Sequence, residues 1–307
     1  MKSPRVLPVF NIANFKDYCD CMDFDSNFYI RKFSDHVKEN LFIEKPHAHD
    51  FYLMLLVTKG AGKHYIDFKE YEVHPGAMFV LAPGLVHRWN MSKDIDGYIL
   101  FFTKKYFMLD FKHDNLSRFP FFKKHSSVPY IRLTKKHTKE VYKFYELMNK
   151  EYHTRDLDYH EMIRMYLNTI LIRLSRKLLG QKSAAYAYNY EIVQLNTFEE
   201  LIETYFIEHK PIGFYSDAMN LSTKQLSHIC KKLVAKVPSE LLMDRIILEA
   251  KRLIIYTDLS INQISIKLNY SDSSYFVRLF KKMCNQTPEQ FRSFKSKTQT
   301  KNLIRTL

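Results

Sequence analysis

The sequence predicts an α+β chain of two domains: a β-barrel or jelly roll followed by helices, then an all-α domain with two helix-turn-helix units joined by a linker helix. Two observations carry this prediction. Between residues 45 and 103, short β-type runs alternate with glycine-bearing turns. Between Leu221 and Phe291, one helical pattern is written twice. At 307 residues the chain is long enough for two cores.

In chain order, Phe28-Tyr29-Ile30-Arg31-Lys32-Phe33 suggests a first strand. Phe51-Tyr52-Leu53-Met54-Leu55-Leu56-Val57 reads as a buried strand, stopped by Lys59-Gly60-Ala61-Gly62. His64 to Phe68, Met78 to Leu81 and Tyr98 to Phe102 supply further strands. Gly60, Gly62, Gly76, Gly84 and Gly97 mark the turns among them.

The arrangement resembles a cupin barrel. His47-Ala48-His49 precedes a strand, and Gly76, Pro83-Gly84, His87 and Asn90 loosely follow the second cupin motif. Metal-binding cupins add a glutamate to three histidines, but Leu53 stands at the glutamate position here. Asp50 falls on the other face by strand alternation. The expectation is therefore no metal and no cofactor. His47, His49, His64, His87 and Trp89 are instead candidates to line a pocket for a small-molecule effector. Tyr65, and Arg88 or Lys63 as cations for an anionic effector, are further candidates.

From about Thr134 to Leu179 the apolar period becomes helical. Val141, Phe144, Tyr145, Met148 and Tyr152 form one stripe; Ile163, Tyr166, Leu167, Ile170, Leu171, Leu174 and Leu178 form another. Such stripes serve a dimer interface or cover the barrel's open face. Gly180 to Tyr190 reads as linker, and Asn196-Thr197-Phe198-Glu199 as a capping box opening the next helix.

In the repeated stretch, Ser222 and Asp272 are placed as N-caps, 272 − 222 = 50 residues apart. Behind them Leu226 and Cys230, or Phe276 and Phe280, share a buried face. The opposite faces carry Thr223, Lys224, Ser227, His228 and Lys231, and Ser273, Ser274, Tyr275, Arg278, Lys281 and Lys282. These residue types can reach base edges and phosphates from a major groove. Between the copies, Pro238 opens a helix striped by Leu241, Leu242, Ile246, Ile247, Ala250, Leu253 and Ile254. Residues 239–256 would span roughly 27 Å at ~1.5 Å per residue, a fair match to one DNA turn of about 34 Å.

The second copy reads Ile264-Ser265-x-x-Leu268-Asn269-Tyr270-Ser271-Asp272-x-Ser274-Tyr275-Phe276-x-Arg278-x-Phe280-Lys281-Lys282, then Thr287-Pro288-x-x-Phe291-Arg292. Residues 196–296 thus resemble the DNA-binding domain of the AraC/XylS family of bacterial transcription regulators. Asn269, Asn285 and Ala235 stand where that family favours glycine. Asparagine tolerates the left-handed conformation and alanine does so less well. The resemblance implies a cupin-like effector-binding and dimerisation domain over 1–180, a linker over 181–195, the DNA-binding domain over 196–296 and a basic tail over 297–307.

Composition agrees. The net charge is +14, and from Arg278 onward eight basic residues face one acid, Glu289. That balance favours double-stranded DNA as partner. Cys19, Cys21, Cys230 and Cys284 form neither a disulfide framework nor zinc-finger spacing. No apolar run approaches the ~18 residues of a membrane span. The expected protein is a cytoplasmic, non-enzymatic regulator acting as a homodimer, with RNA polymerase as a further candidate partner. The rival readings are a metal-dependent cupin enzyme with an appended DNA-binding domain, and a constitutive regulator whose barrel only dimerises.

Overall fold

The computed structural model describes residues 7–15, 27–109, 116, 119–122, 128–180 and 190–293. Cys19, Cys21, residues 181–189 of the expected linker and the tail with Lys295, Lys297, Lys301 and Arg305 lie outside the described residues. Two compact units divide between Asn189 and Tyr190.

The first unit is sheet-rich. Its strands are β1 (Val9–Phe10), β2 (Phe28–Lys32), β3 (Ala48–His49), β4 (Tyr52–Lys59), β5 (Gly62–Ile66), β6 (Lys69–Val73), β7 (Ala77–Leu81), β8 (His87–Met91), β9 (Asp96–Phe102) and β10 (Tyr130–Arg132). An antiparallel sheet runs β10-β7-β4-β9-β2, and a second runs β6-β5-β8. The central strands β4, β7 and β9 are buried on both faces, which explains why they read as continuous apolar runs rather than as alternation.

Each face of the larger sheet has its own core. Leu53, Leu55, Phe79, Ile99 and Phe101 face inward with Ile66 and Trp89 of the smaller sheet. Met54, Leu56, Val80, Leu100 and Phe102 pack under two helices, α3 (Lys135–Thr154) and α4 (Tyr159–Leu179). Short helices α1 (Phe33–Glu39) and α2 (Lys104–Met108) follow β2 and β9. The stripe residues Val141, Tyr145, Met148, Ile163, Leu167, Ile170 and Leu171 are therefore spent on covering the sheet. Leu147 and Met165 stay exposed on the outer side.

The second unit is helical: α5 (Tyr190–Tyr205), α6 (Ile212–Ala218), α7 (Thr223–Val234), α8 (Pro238–Tyr256), α9 (Ile261–Lys267) and α10 (Ser273–Cys284), with a further helix begun over 288–293. Here one expectation is corrected. Helix α5 starts at Tyr190, so the linker ends before 190 rather than at 195, and Asn196 and Glu199 are buried mid-helix residues, not a capping box. Ile192 and Leu195 extend the apolar face of Phe198 and Ile202 backwards by almost two turns. That packing overrides the local capping signal.

Candidate nucleic-acid interface and histidine cluster

In the first helix-turn-helix, α6 and α7 meet at a corner in which the Leu221 N–H donates to Ser216 O at 2.9 Å. Ser222 Oγ then accepts from Gln225 N at 3.2 Å, while Gln225 Oε1 accepts from Ser222 N at 2.8 Å. This reciprocal cap points α7 outward from a stable base. Leu226, Ile229 and Cys230 are buried; Thr223, Lys224, His228 and Lys231 are exposed, and Ser227 is half-buried.

The second unit repeats the scheme with α9 and α10. The Tyr270 N–H donates to Ser265 O at 2.9 Å, and Asp272 Oδ1 accepts from Ser274 N at 2.8 Å. Phe276 and Phe280 are wholly buried. Ser274, Tyr275, Arg278, Lys281 and Lys282 are exposed, with Ser273 half-buried. Arg278 Nη2 lies 3.7 Å from Asp272 Oδ2, so the cap also restrains the guanidinium.

The repeat is not uniform. Asn220 and Asn269 occupy the same left-handed corner position, at φ +53° and +60°, and lie 269 − 220 = 49 residues apart. The second corner thus holds one extra residue before its outward helix, a difference hidden by counting from the caps. At the far ends, Ala235 (φ +55°) and Asn285 (φ +58°) cap α7 and α10 in the left-handed conformation. The structure accommodates alanine there, at a strain of roughly 1 kcal/mol that glycine would not carry.

Two arginines hold this unit together: Arg245, which no sequence motif singled out, and Arg292, which closes the repeated motif. Buried Arg245 on α8 donates to both carboxylate oxygens of Glu203 at 2.8 and 2.9 Å and to Glu249 at 2.9 Å. Arg292 donates to the carbonyls of Ile254 at 3.0 Å and Leu259 at 2.7 Å, tying the helix at 288–293 to the end of α8. The i,i+4 pair Arg245–Glu249 was the available signal for the first.

In the sheet-rich unit, all five candidate pocket residues converge. The backbones of His47 and His87 exchange hydrogen bonds at 3.0 and 2.8 Å. Around the His87 ring lie His47 at 4.3 Å, His49 at 5.0 Å, His64 at 5.2 Å and Trp89 at 5.2 Å between centroids. His64 Nε2 and His87 Nδ1 share a hydrogen bond of 3.0 Å. A fifth imidazole, His36, joins them 6.2 Å from Trp89, held by the Tyr29 hydroxyl at 2.8 Å. Nothing in its local sequence marks it, because α1 brings it there.

Strand alternation sends Tyr65 and Arg88 to the opposite face, where the guanidinium stacks on the ring at 3.8 Å. Lys63 pairs with Glu70 at 2.5 Å. These two cations are accordingly removed from the anionic-ligand role considered for them. Leu53 is buried in the inner core, so the position expected for a cupin carboxylate is apolar. Among the described residues, no group of three His, Cys, Asp or Glu side chains could hold a metal ion.

Burial lowers the pKa of His36 and His49 to about 3 and depresses those of His47, His64 and His87. His49 Nε2, His64 Nδ1, His87 Nε2, His36 Nε2 and Trp89 Nε1 are buried without hydrogen-bond partners. The folded pKa values lie below the unfolded value of ~6.5, so the folded state refuses protons that the unfolded chain accepts. This contribution to stability is complete above about pH 6.5 and declines as pH falls below it, continuing to about pH 3 for His36 and His49, by up to ~1.4 kcal/mol per pH unit for each histidine. Scanning calorimetry in a pH series should show the melting temperature of this unit level above neutrality and falling steeply below pH 6. A level profile down to pH 5 would contradict neutral burial.

A family model described as a helix-turn-helix domain matches residues 215–293, and one described as an AraC-like ligand binding domain matches residues 27–120. The HTH-type transcriptional activator RhaR of Enterobacter sp. (strain 638) is 20% identical over 270 residues, 84% of this chain and 90% of its own length. The HTH-type transcriptional regulator YdeC of Bacillus subtilis (strain 168) is 19% identical over 263 residues, 81% of this chain and 86% of its own. Among solved structures, ToxT from Vibrio cholerae aligns with 87% of this chain and 98% of its own, with TM-score 0.41 and 12% identity. Among the described residues no helix is long and apolar enough to cross a membrane.

Proposed function

Since the chain belongs to the AraC/XylS family of DNA-binding transcription regulators with an N-terminal ligand-binding domain, we propose that both helix-turn-helix units read one operator under the control of a small molecule held by the histidine cluster. The observation that carries this reading is the doubled outward face. In both copies the apolar partners are wholly buried while the polar residues at matching positions are exposed or half-buried on the outer face of a capped helix. Lys224, Ser227 and His228, and Ser273, Ser274, Tyr275 and Arg278, read bases. Thr223 supports the first head, and Lys231, Lys281 and Lys282 meet phosphate.

Helix α8, 19 residues and about 28 Å long, suits two heads set roughly one DNA turn apart. The effector is a small hydrogen-bonding molecule, because neutral imidazoles and the Trp89 N–H offer unmet donors and acceptors rather than charge. Its occupancy changes operator affinity through a coupling free energy. The protein works without catalysis, as a cytoplasmic homodimer contacting RNA polymerase, and the exposed Leu147 and Met165 on α3 and α4 support the dimer contact.

Fluorescence anisotropy on the chain's own upstream DNA, against scrambled DNA at two salt concentrations, tests this. Arg278→Ala should lose ~1–3 kcal/mol of sequence preference, about 5- to 150-fold. Lys281→Ala should instead weaken both DNAs alike and flatten the salt dependence. Equal, weak binding of the unaltered protein to both DNAs would overturn the reading. An effector titration that leaves operator affinity unchanged would remove the affinity coupling alone.

A further inference from the structure

The helical unit contains an open cleft of about 440 Å³ that the reading above does not use. Its volume falls within the ~300–1,000 Å³ of small-molecule sites. Three segments wall it: His209 and Lys210 ahead of α6, Met243 on α8, and Tyr270, Asp272 and Tyr275 around the second corner. The rings form a continuous surface, with His209 4.5 Å from Tyr270 and Tyr270 6.0 Å from Tyr275 between centroids. Half-buried Met243 adds a polarizable thioether suited to aromatic contact. Nε2 of His209 is closed off from solvent without a hydrogen-bond partner.

The charges of the cleft are unequal in their commitments. The Asp272 carboxylate already caps α10 and lies against Arg278. Lys210 has the exposed Glu208 at 3.1 Å, a surface pair of little strength, and lies 5.5 Å over the Phe214 ring. An anionic group entering the cleft can therefore take Lys210 at small cost. Tyr275, 51% exposed, is at once a wall of the cleft and part of the proposed base-reading face.

We propose that this cleft binds a flat aromatic molecule carrying one carboxylate, its ring against Tyr270 and Tyr275 and its carboxylate on Lys210, and that it competes with DNA for Tyr275. The competition rests on the DNA-reading role of α10; the site itself does not. Linkage requires the antagonism to be mutual.

The test is isothermal titration of the full-length chain with 2-naphthoate, free and saturated with its upstream DNA. Met243→Trp fills the cleft, Lys210→Glu reverses its charge, and Trp89→Phe alters the histidine cluster instead. Affinity should fall about tenfold or more in both cleft variants, stay unchanged in Trp89→Phe, and fall at least severalfold on DNA. Either cleft variant that folds decides the matter. Absent binding at millimolar 2-naphthoate, loss confined to Trp89→Phe, or indifference to bound DNA would each overturn the proposal. DNA affinity measured by anisotropy in the same preparation separates these failures from a failure of the regulator reading.

Discussion

Arg245→Ala is expected to destabilise the helical unit by about 3 kcal/mol, the lower end of the ~3–5 kcal/mol range for breaking a buried ion pair. Arg245 is 7% exposed; its guanidinium donates to Glu203 through two nitrogens and to Glu249 through a third, and lies 4.0 Å over the Phe206 ring. Alanine would remove that packing, take the guanidinium from Glu203 and leave Glu249 with Arg252 at 3.6 Å. Glu203 and Glu249 keep about a quarter of their side-chain surface in water, which holds the cost to the low end. Arg245 joins α8 to α5, and α8 carries the second reading head. Operator affinity should thus fall although no proposed DNA contact is touched.

Denaturant unfolding of the full-length variant, paired with anisotropy, measures both effects. The double variant Arg245→Met, Glu203→Leu, which leaves Glu249 paired with Arg252, should recover most of the loss, since a well-packed apolar replacement of a buried ion pair is often neutral or better. A single-variant loss below about 1 kcal/mol would show that the network is not a structural joint.

Gly97→Ala is expected to be as damaging to the sheet-rich unit. Gly97 has φ +151° and sits opposite Val57 in the pairing of β4 with β9. A Cβ there would meet Leu56 O at 1.9 Å and Val57 Cα at 3.1 Å. Both are backbone atoms of the central strand pair, so no side-chain rotation relieves the clash, and the register already shifts between Val57 and Lys59. Steric overlap together with backbone strain should cost about 3 kcal/mol or more. For a unit of this size that corresponds to a fall of roughly 6–12 °C in its melting temperature. Calorimetry of the full chain should show the transition of this unit displaced downward. DNA binding below that transition should persist, because the reading helices belong to the other compact unit. A displacement of under about 2 °C would mean that the strands yield more readily than close packing allows.

Local chemistry wrote the helical unit plainly. N-caps at Ser222 and Asp272, apolar pairs one turn behind them and Pro238 at the start of α8 are short-range signals, and each is realised in the structure. The five pocket candidates were legible because histidines and a tryptophan stand on a strand-rich stretch. Their convergence was not, since it depends on the bridge between His47 and His87, forty residues apart in sequence. Strand β8 itself went unread: His87 and Trp89 alternate inward, but too few apolar residues flank them to announce a strand.

By itself, then, the sequence determined the two-part plan, the resemblance of the helical unit to a known DNA-binding domain and the outward faces of α7 and α10, because helix period and capping depend on residues within a few positions of one another. Only the tertiary structure decided that His36 joins the histidine cluster, that Arg245 clasps Glu203, that the second corner is one residue longer and that a cleft opens beside Tyr275. Periodicity records which face of an element is buried, and it is silent on what that face is buried against.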